Sequence, residues 1–413
     1  MRDLRFRRSG PYVLLALTCV AGWAFKGHCG ASWAADEQYL TGCYSDAVPF
    51  WGLRGVAAGQ LPYIEAQMEY PVLTGMLIWL EGLITRLLAG TRADAADFLF
   101  VVSAVNAALA FAVLRMMDRA SVPAIRRWCW AAAPPLILYL GHNWDMLAVA
   151  LAVAAILAAR RGEQASAAAL AAIGTAAKLF PVLLLPLLGI AALAGRNRSW
   201  LGRFRAAGGL VLAAICFWAA VNLPIALRAF DNWAEFYTFS GQRVGTAASV
   251  WEIMAVQGWW NTDLATRNLW SFLIFAGGAG AIVALGWRRH RDHLWVLFTP
   301  VLAWFLLTNK VYSPQFDLWL FPFLLLTSRR LWPIAWFAAG DVLAYWAEFW
   351  FFASASGGGP GVTQAHIAAA AAFRAVPMLW VIVDAVRSPA ADWVMIGGRK
   401  GGISAQGGGH QID

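Results

Sequence analysis

PVLTGMLIWLEGLITRLLAG, residues 71–90, is the stretch that decides how this chain meets a membrane. It is apolar enough to read as a crossing, yet it carries Glu81 and Arg86 in its interior. Its surroundings settle the choice. Hydrophobic residues fill 60% of 413 positions and charged residues 13%, against about 25% charged in a soluble domain, and the mean hydropathy is +0.58. That composition excludes a soluble globular domain and implies a polytopic, all-α membrane protein. Apolar runs fall near 11–25, 97–115, 128–141, 146–159, 165–178, 180–194, 206–226, 269–287, 293–308, 316–328, 331–352 and 367–386. These make about twelve transmembrane helices if the short ones tilt or re-enter. An even number puts both termini on one side, and the arginine-rich start puts that side in the cytoplasm.

If 71–90 also crossed, the basic cluster from Arg115 to Arg127 would lie outside. Read as an amphipathic interfacial helix on the outer leaflet, it leaves every basic cluster inside: Arg115 to Arg127, Arg160-Arg161, Arg196 to Arg205, Arg288 to Arg291 and Arg329-Arg330. The net charge of +9 then follows from the positive-inside bias and needs no nucleic acid. Arg5 to Arg8 followed by an apolar run has the look of a signal peptide, with small residues at Ala31 to Ala35. An uncleaved first span closes the topology better. Residues 1–387 read as one membrane domain and 388–413, rich in glycine, as a disordered cytoplasmic tail. His290 and His293 fall in a basic inner turn and read as solvated.

The segments left outside are polar, aromatic and acidic: the 26–70 loop, His142 to Asp145, Lys178, the 228–268 loop, Asn309 to Asp317 and Ala353 to His366. Asp46, among Tyr44, Phe50 and Trp51 at the bilayer edge, is either a solvated loop acid or helix cap or, as its neighbours favour, a partly desolvated carboxylate suited to a general base. Glu69 and Tyr70 precede Pro71 at the start of the interfacial helix, where Glu69 either faces the helix dipole or holds an acceptor hydroxyl or a cation. Asn143 and Asp145 either cap the next helix or contact substrate. Lys178 and Lys310 oppose the positive-inside bias, and a phosphate explains them; Tyr312, Ser313 and Gln315 add donors beside Lys310. Trp251 offers an aromatic face for a sugar or lipid, alongside Trp233, Tyr237, Arg243, Trp259 and Trp260 of the same loop. Cys29 and Cys43 share the outer loop and can pair there or stay apart, whereas Cys19, Cys129 and Cys216 read as packing residues. No phosphate loop, metal-ligand spacing or dinucleotide fingerprint is present.

In their order, these motifs resemble the membrane glycosyltransferases of the C-type fold, and most closely glycosyltransferase family 87, whose members take mannose or another sugar from a polyprenyl phosphate. The resemblance rests on Tyr44-Ser45-Asp46, Gly59-Gln60-Leu61-Pro62-Tyr63, Glu69-Tyr70-Pro71, Asn143 to Ala148, Lys178 to Pro181 and Lys310 to Gln315. It spans residues 39 to 322, about two thirds of the chain. It implies an inverting transfer in a bacterial cytoplasmic membrane, with the active site facing outside. Asp46 would be the base, and Lys178 and Lys310 would hold the donor phosphate. The partners would be a polyprenyl-phosphate sugar, a glycolipid or cell-envelope glycan acceptor and membrane lipids; the sugar carrier is a substrate, no cofactor is implied, and a divalent metal stays open. Val72 stands where family members often have a second proline, and no histidine stands beside Ser313-Pro314. Two other classes fit the composition: a lipid or glycolipid transporter, and a non-catalytic subunit that binds polyprenyl glycans. A transporter would carry polar groups along both halves of a pathway, whereas here they gather on one side.

Overall fold

The computed structural model describes residues 2–30, 32–195 and 199–395. Met1, Ala31, residues 196–198 and the glycine-rich end from residue 396 lie outside the described residues, as do the side chains of residues 1–8 and of Met395. The described chain is helical, with no strand and one isolated bridge between Pro62 and Ala66. Five helices are long and apolar enough to cross a membrane: Val72–Arg92, Ala95–Arg119, Trp200–Ala226, Leu264–His290 and Gln364–Arg387. Four coincide with expected spans, and the fifth is the helix read as interfacial.

The expected spans near 11–25 and 331–352 are also long single helices, Arg2–Gly27 with 26 residues and Trp332–Ala355 with 24; the others are shorter or interrupted. Ala124–Ala131 and Pro134–Tyr139 are separate helices, because Pro134 and Pro135 remove two donors and disfavour helical geometry just before them. Gln164–Thr175 has 12 residues, about 18 Å at the helical rise, short of the roughly 30 Å of a bilayer core. It packs on Asp145–Arg160 through alanines and Gly174, small residues that let two backbones approach closely. These two helices and Phe316–Thr327 form the buried centre of the bundle.

Hydrogen bonds between loops sort into two sets. Among the segments expected inside, Arg126 donates to the carbonyls of Leu325 and Ser328 at 2.6 and 2.5 Å. Arg160 donates to Ala120 and Trp393 at 2.7 and 2.8 Å. Cationic side chains here satisfy helix C-terminal carbonyls. His290 joins them: it is buried and bonds the Ala385 carbonyl at 2.7 Å, so it packs between helix ends instead of standing in solvent. The first residues of the expected tail are packed: Ala390, Ala391, Trp393 and Val394 are buried and Asp392–Met395 is helical; the rest of it lies outside the described residues.

Among the segments expected outside, Asp46 N donates to His142 O at 2.8 Å, and Thr246 N to Lys310 O at 3.2 Å. Gln364 donates to Ala247 O at 2.6 Å. A disulfide joins Cys29 to Cys43 with 6.3 Å between their Cα atoms, tying the end of the first helix to the loop that carries Asp46. The helix Val72–Ala89 meets this outer set along its whole length. Leu73 N and Thr74 Oγ1 donate to Ala176 O and Ala177 O at 2.9 and 2.8 Å. Glu81 accepts from Trp144 Nε1 at 2.6 Å, and Arg86 donates to Val56 O at 2.5 Å. Both of its inner polar side chains thus find a partner within the protein, although Glu81 Oε1 stays buried without one.

Candidate active site

The segments expected outside close around a cavity of about 590 Å³, within the size range of small-molecule sites. Asp46 enters it from just before the helix Ala47–Leu53, where Ser45 Oγ accepts from Ala47 N at 3.1 Å and fixes the turn. The carboxylate is part-buried, and its Oδ2 accepts the Tyr70 hydroxyl at 2.8 Å. Burial pushes Asp46 above the usual carboxylate range, hydrogen bonds from Tyr70 and Tyr44 and the charge of Lys178 pull it back, and Asp145 adds to the rise. The net effect is a more basic carboxylate.

Lys178 sits 4.5 Å from the centre of the Tyr70 ring, and its ammonium pairs with Asp145 Oδ1 at 2.9 Å. Asp145 Oδ2 accepts in turn from Trp319 Nε1 at 2.7 Å. Asp145 is fully buried, pairs with Lys178 and does not line the cavity, so of its two readings, helix cap or substrate contact, the second is not met. Asn143, equally buried, accepts the Asp145 amide on its Oδ1 at 3.1 Å and so takes up the first amide of the helix from one residue before its N-cap, Trp144. Glu69 does line the cavity, with Arg54 as its ion-pair partner.

The other end of the cavity is cationic. Lys310 Nζ donates to Gly241 O at 2.8 Å, and burial, with Arg243 and Arg267 nearby, pushes its ammonium below the usual lysine range. Arg267 is paired with Glu252 at 3.0 Å. Arg243 has no ion-pair partner among the described residues; its guanidinium lies 5.6 Å from the centre of the Phe239 ring. Ser313 and Gln315 line this end with Arg243. Tyr312 does not: it is buried, its hydroxyl donates to Asp317 at 2.7 Å, and the Arg374 guanidinium lies 3.8 Å from its ring centre. Trp251 is also buried away from the cavity and donates to Thr308 O at 2.8 Å.

The structure thus gathers Asp46, Glu69, Tyr70, Lys178, Lys310, Ser313 and Gln315 on one cavity, and leaves Asn143, Asp145, Tyr312 and Trp251 behind its walls. It adds Arg243, His142 and Glu348. Arg243 was visible in the sequence as a cation in an outer aromatic loop. Glu348 was visible only as an acid inside an apolar run. Burial and the charges of Lys26 and Lys178 hold the His142 imidazole well below its usual range, hence neutral.

A second recess of about 210 Å³ adjoins the cationic end, sharing Phe305, Asn309 and Lys310. It runs along Asn268, Phe272 and Phe275, beside the exposed apolar side chains Leu269, Trp270 and Leu273. The one cluster of possible metal donors among the described residues is His28, Cys29 and Cys43. Two of these are consumed by the disulfide. No protein-family model matches the chain, and no curated protein shows significant similarity to it.

Proposed function

We propose that this chain is an inverting glycosyltransferase that moves a sugar from a polyprenyl-phosphate donor to a lipid-linked or cell-envelope glycan acceptor. One observation carries the reading: a single cavity sets a basic carboxylate at one end and an unpaired arginine beside a lysine at the other. Transfer needs that separation. The acceptor hydroxyl gives its proton to Asp46 as its oxygen bonds the anomeric carbon from the face opposite the phosphate. The bond from that carbon to the phosphate oxygen breaks, its electron pair leaves with the polyprenyl phosphate, and Arg243 and Lys310 stabilise the charge. The lipid-facing recess at Lys310 gives the polyprenyl chain a way out of the cavity.

The finer topology belongs to the same proposal. The chain would cross a bacterial cytoplasmic membrane about twelve times in a C-type arrangement, with both termini inside and the cavity outside. Three features support it: two sets of loops that bond within themselves, a disulfide in the outer set that suits an oxidising compartment, and a helix 72–89 that touches the outer set from end to end.

The test is transfer of radiolabelled sugar from a panel of polyprenyl-phosphate sugars by the reconstituted full chain. Wild type transfers label, and Asp46→Asn, still binding the carrier, loses about 10²-fold or more of the rate. Transfer by Asp46→Asn at the wild-type rate would sink the mechanism.

A further inference from the structure

Five carboxylates are buried among the described residues: Glu81, Asp145, Asp317, Asp341 and Glu348. Four have partners. Glu81 accepts from Trp144 and Asp145 from Trp319; Asp317 pairs with Arg374 at 2.8 Å; Asp341 accepts from Tyr139 at 2.5 Å. Glu348 is 3% exposed, lines the cavity, and its Oε2 is buried with no hydrogen-bond partner. A carboxylate left in this state inside a helix rich in aromatics is costly unless something brought to the cavity completes it.

Its surroundings suggest what that is. Phe349 and Phe352 flank Glu348 on the cavity wall, with ring centres 6.2 and 5.5 Å from Tyr39. Tyr44 lies 6.0 Å from Phe349 and 5.4 Å from His142. His142 Nδ1 is a second buried atom without a partner, and its backbone carbonyl holds the Asp46 amide. The charged groups that act on Glu348 include Arg243 of the cationic end. An aromatic wall with two unsatisfied polar groups, beside both the base and the phosphate cations, suits a neutral sugar: carbon–hydrogen faces against the rings, hydroxyls on the polar atoms.

Resting on the glycosyl-transfer reading, we propose that Glu348, with His142 beside it, reads the hydroxyls of the transferred sugar and sets which sugar is accepted. Glu348 is the specificity-determining residue of this subsite. An unpaired buried carboxylate accepts hydroxyls well when they are presented and is left unsatisfied when they are not, so it discriminates by what is missing as well as by what is bound.

The experiment measures binding of radiolabelled polyprenyl phosphate, bare or carrying mannose, glucose or arabinose, to the full chain in nanodiscs. Wild type should bind at least one glycosylated carrier roughly tenfold more tightly than the bare carrier, the worth of one buried hydrogen bond. Glu348→Gln should shrink that preference and Glu348→Leu should abolish it, with bare-carrier affinity unchanged. A preference that survives Glu348→Leu, or no glycosylated carrier exceeding the bare one, overturns the proposal. If Glu348→Leu also loses the bare carrier, Glu348→Gln, which keeps the volume, decides: an unaltered preference overturns it. Wild type that binds no carrier at all rejects the transfer reading itself.

Discussion

Asp46 and Tyr70 are 24 residues apart and meet at 2.8 Å, and the direction of that hydrogen bond sets how the site should respond to pH. A donor to the carboxylate stabilises its charged form, so Tyr70 holds the Asp46 pKa down against burial. As the base of the transfer proposed above, Asp46 acts only when ionised, so activity should fall as pH drops through its pKa. Tyr70→Phe removes the bond and raises that pKa further; the acid limb of the pH–rate profile should move to higher pH, with the plateau less affected. A limb that stays in place would mean that Asp46 is not the titrating base. Lys178 pulls in the same direction as Tyr70, but it is also the partner of fully buried Asp145. Its removal would strand a buried charge and confuse the readout.

At the scale of elements, the helix Val72–Ala89 is where composition and contacts pull apart. Its length and hydropathy suit a crossing, yet its hydrogen bonds run from Ala176 through Trp144 to Val56 without leaving the outer set. A crossing helix must change sides. With the free cysteines replaced, a membrane-impermeant maleimide added outside intact cells should label Thr91→Cys as readily as Gln60→Cys if the helix lies at the outer surface. Labelling of Gln60→Cys alone would make it a span and reverse everything C-terminal to it. Glu81 and Arg86, which argued against a crossing in the sequence, decide nothing by themselves, because each meets a protein partner, Trp144 and the Val56 carbonyl. The same holds for Pro134-Pro135, which divides what reads as one apolar run into two short helices.

Across the whole molecule, the buried pair Arg374–Asp317 joins two helices 57 residues apart, with Tyr312 on both partners. Removing one member leaves the other charged and dry, a loss of about 3–5 kcal/mol. Arg374→Leu should therefore lower the thermal midpoint sharply in detergent, while Arg374→Leu with Asp317→Leu should recover most of it. A double variant no more stable than the single one would show that the pair's surroundings, and not its charges, hold those helices. This cluster also explains why Tyr312 was misplaced from the sequence alone. Beside Lys310 and Ser313 in the chain, it folds inward to satisfy a carboxylate in the next helix.

Much of the cavity was legible because charge is scarce in this chain. Asp46, Glu69, Lys178 and Lys310 stand out where most neighbours are apolar, and the outer segments that carry them are set apart from short basic ones. Sequence by itself therefore determined the helical membrane class and the end of the bundle where polar chemistry collects, since both follow from hydrophobic composition and the distribution of arginine. Tertiary structure alone decided which charges are free. Asp145 meets Trp319 across 174 residues and Arg54 takes up Glu69, while Arg243 and Glu348 face the cavity with no ion pair within 4 Å among the described residues. Pairing depends on which side chains packing brings within about 3 Å, and spacing along the chain does not encode that distance.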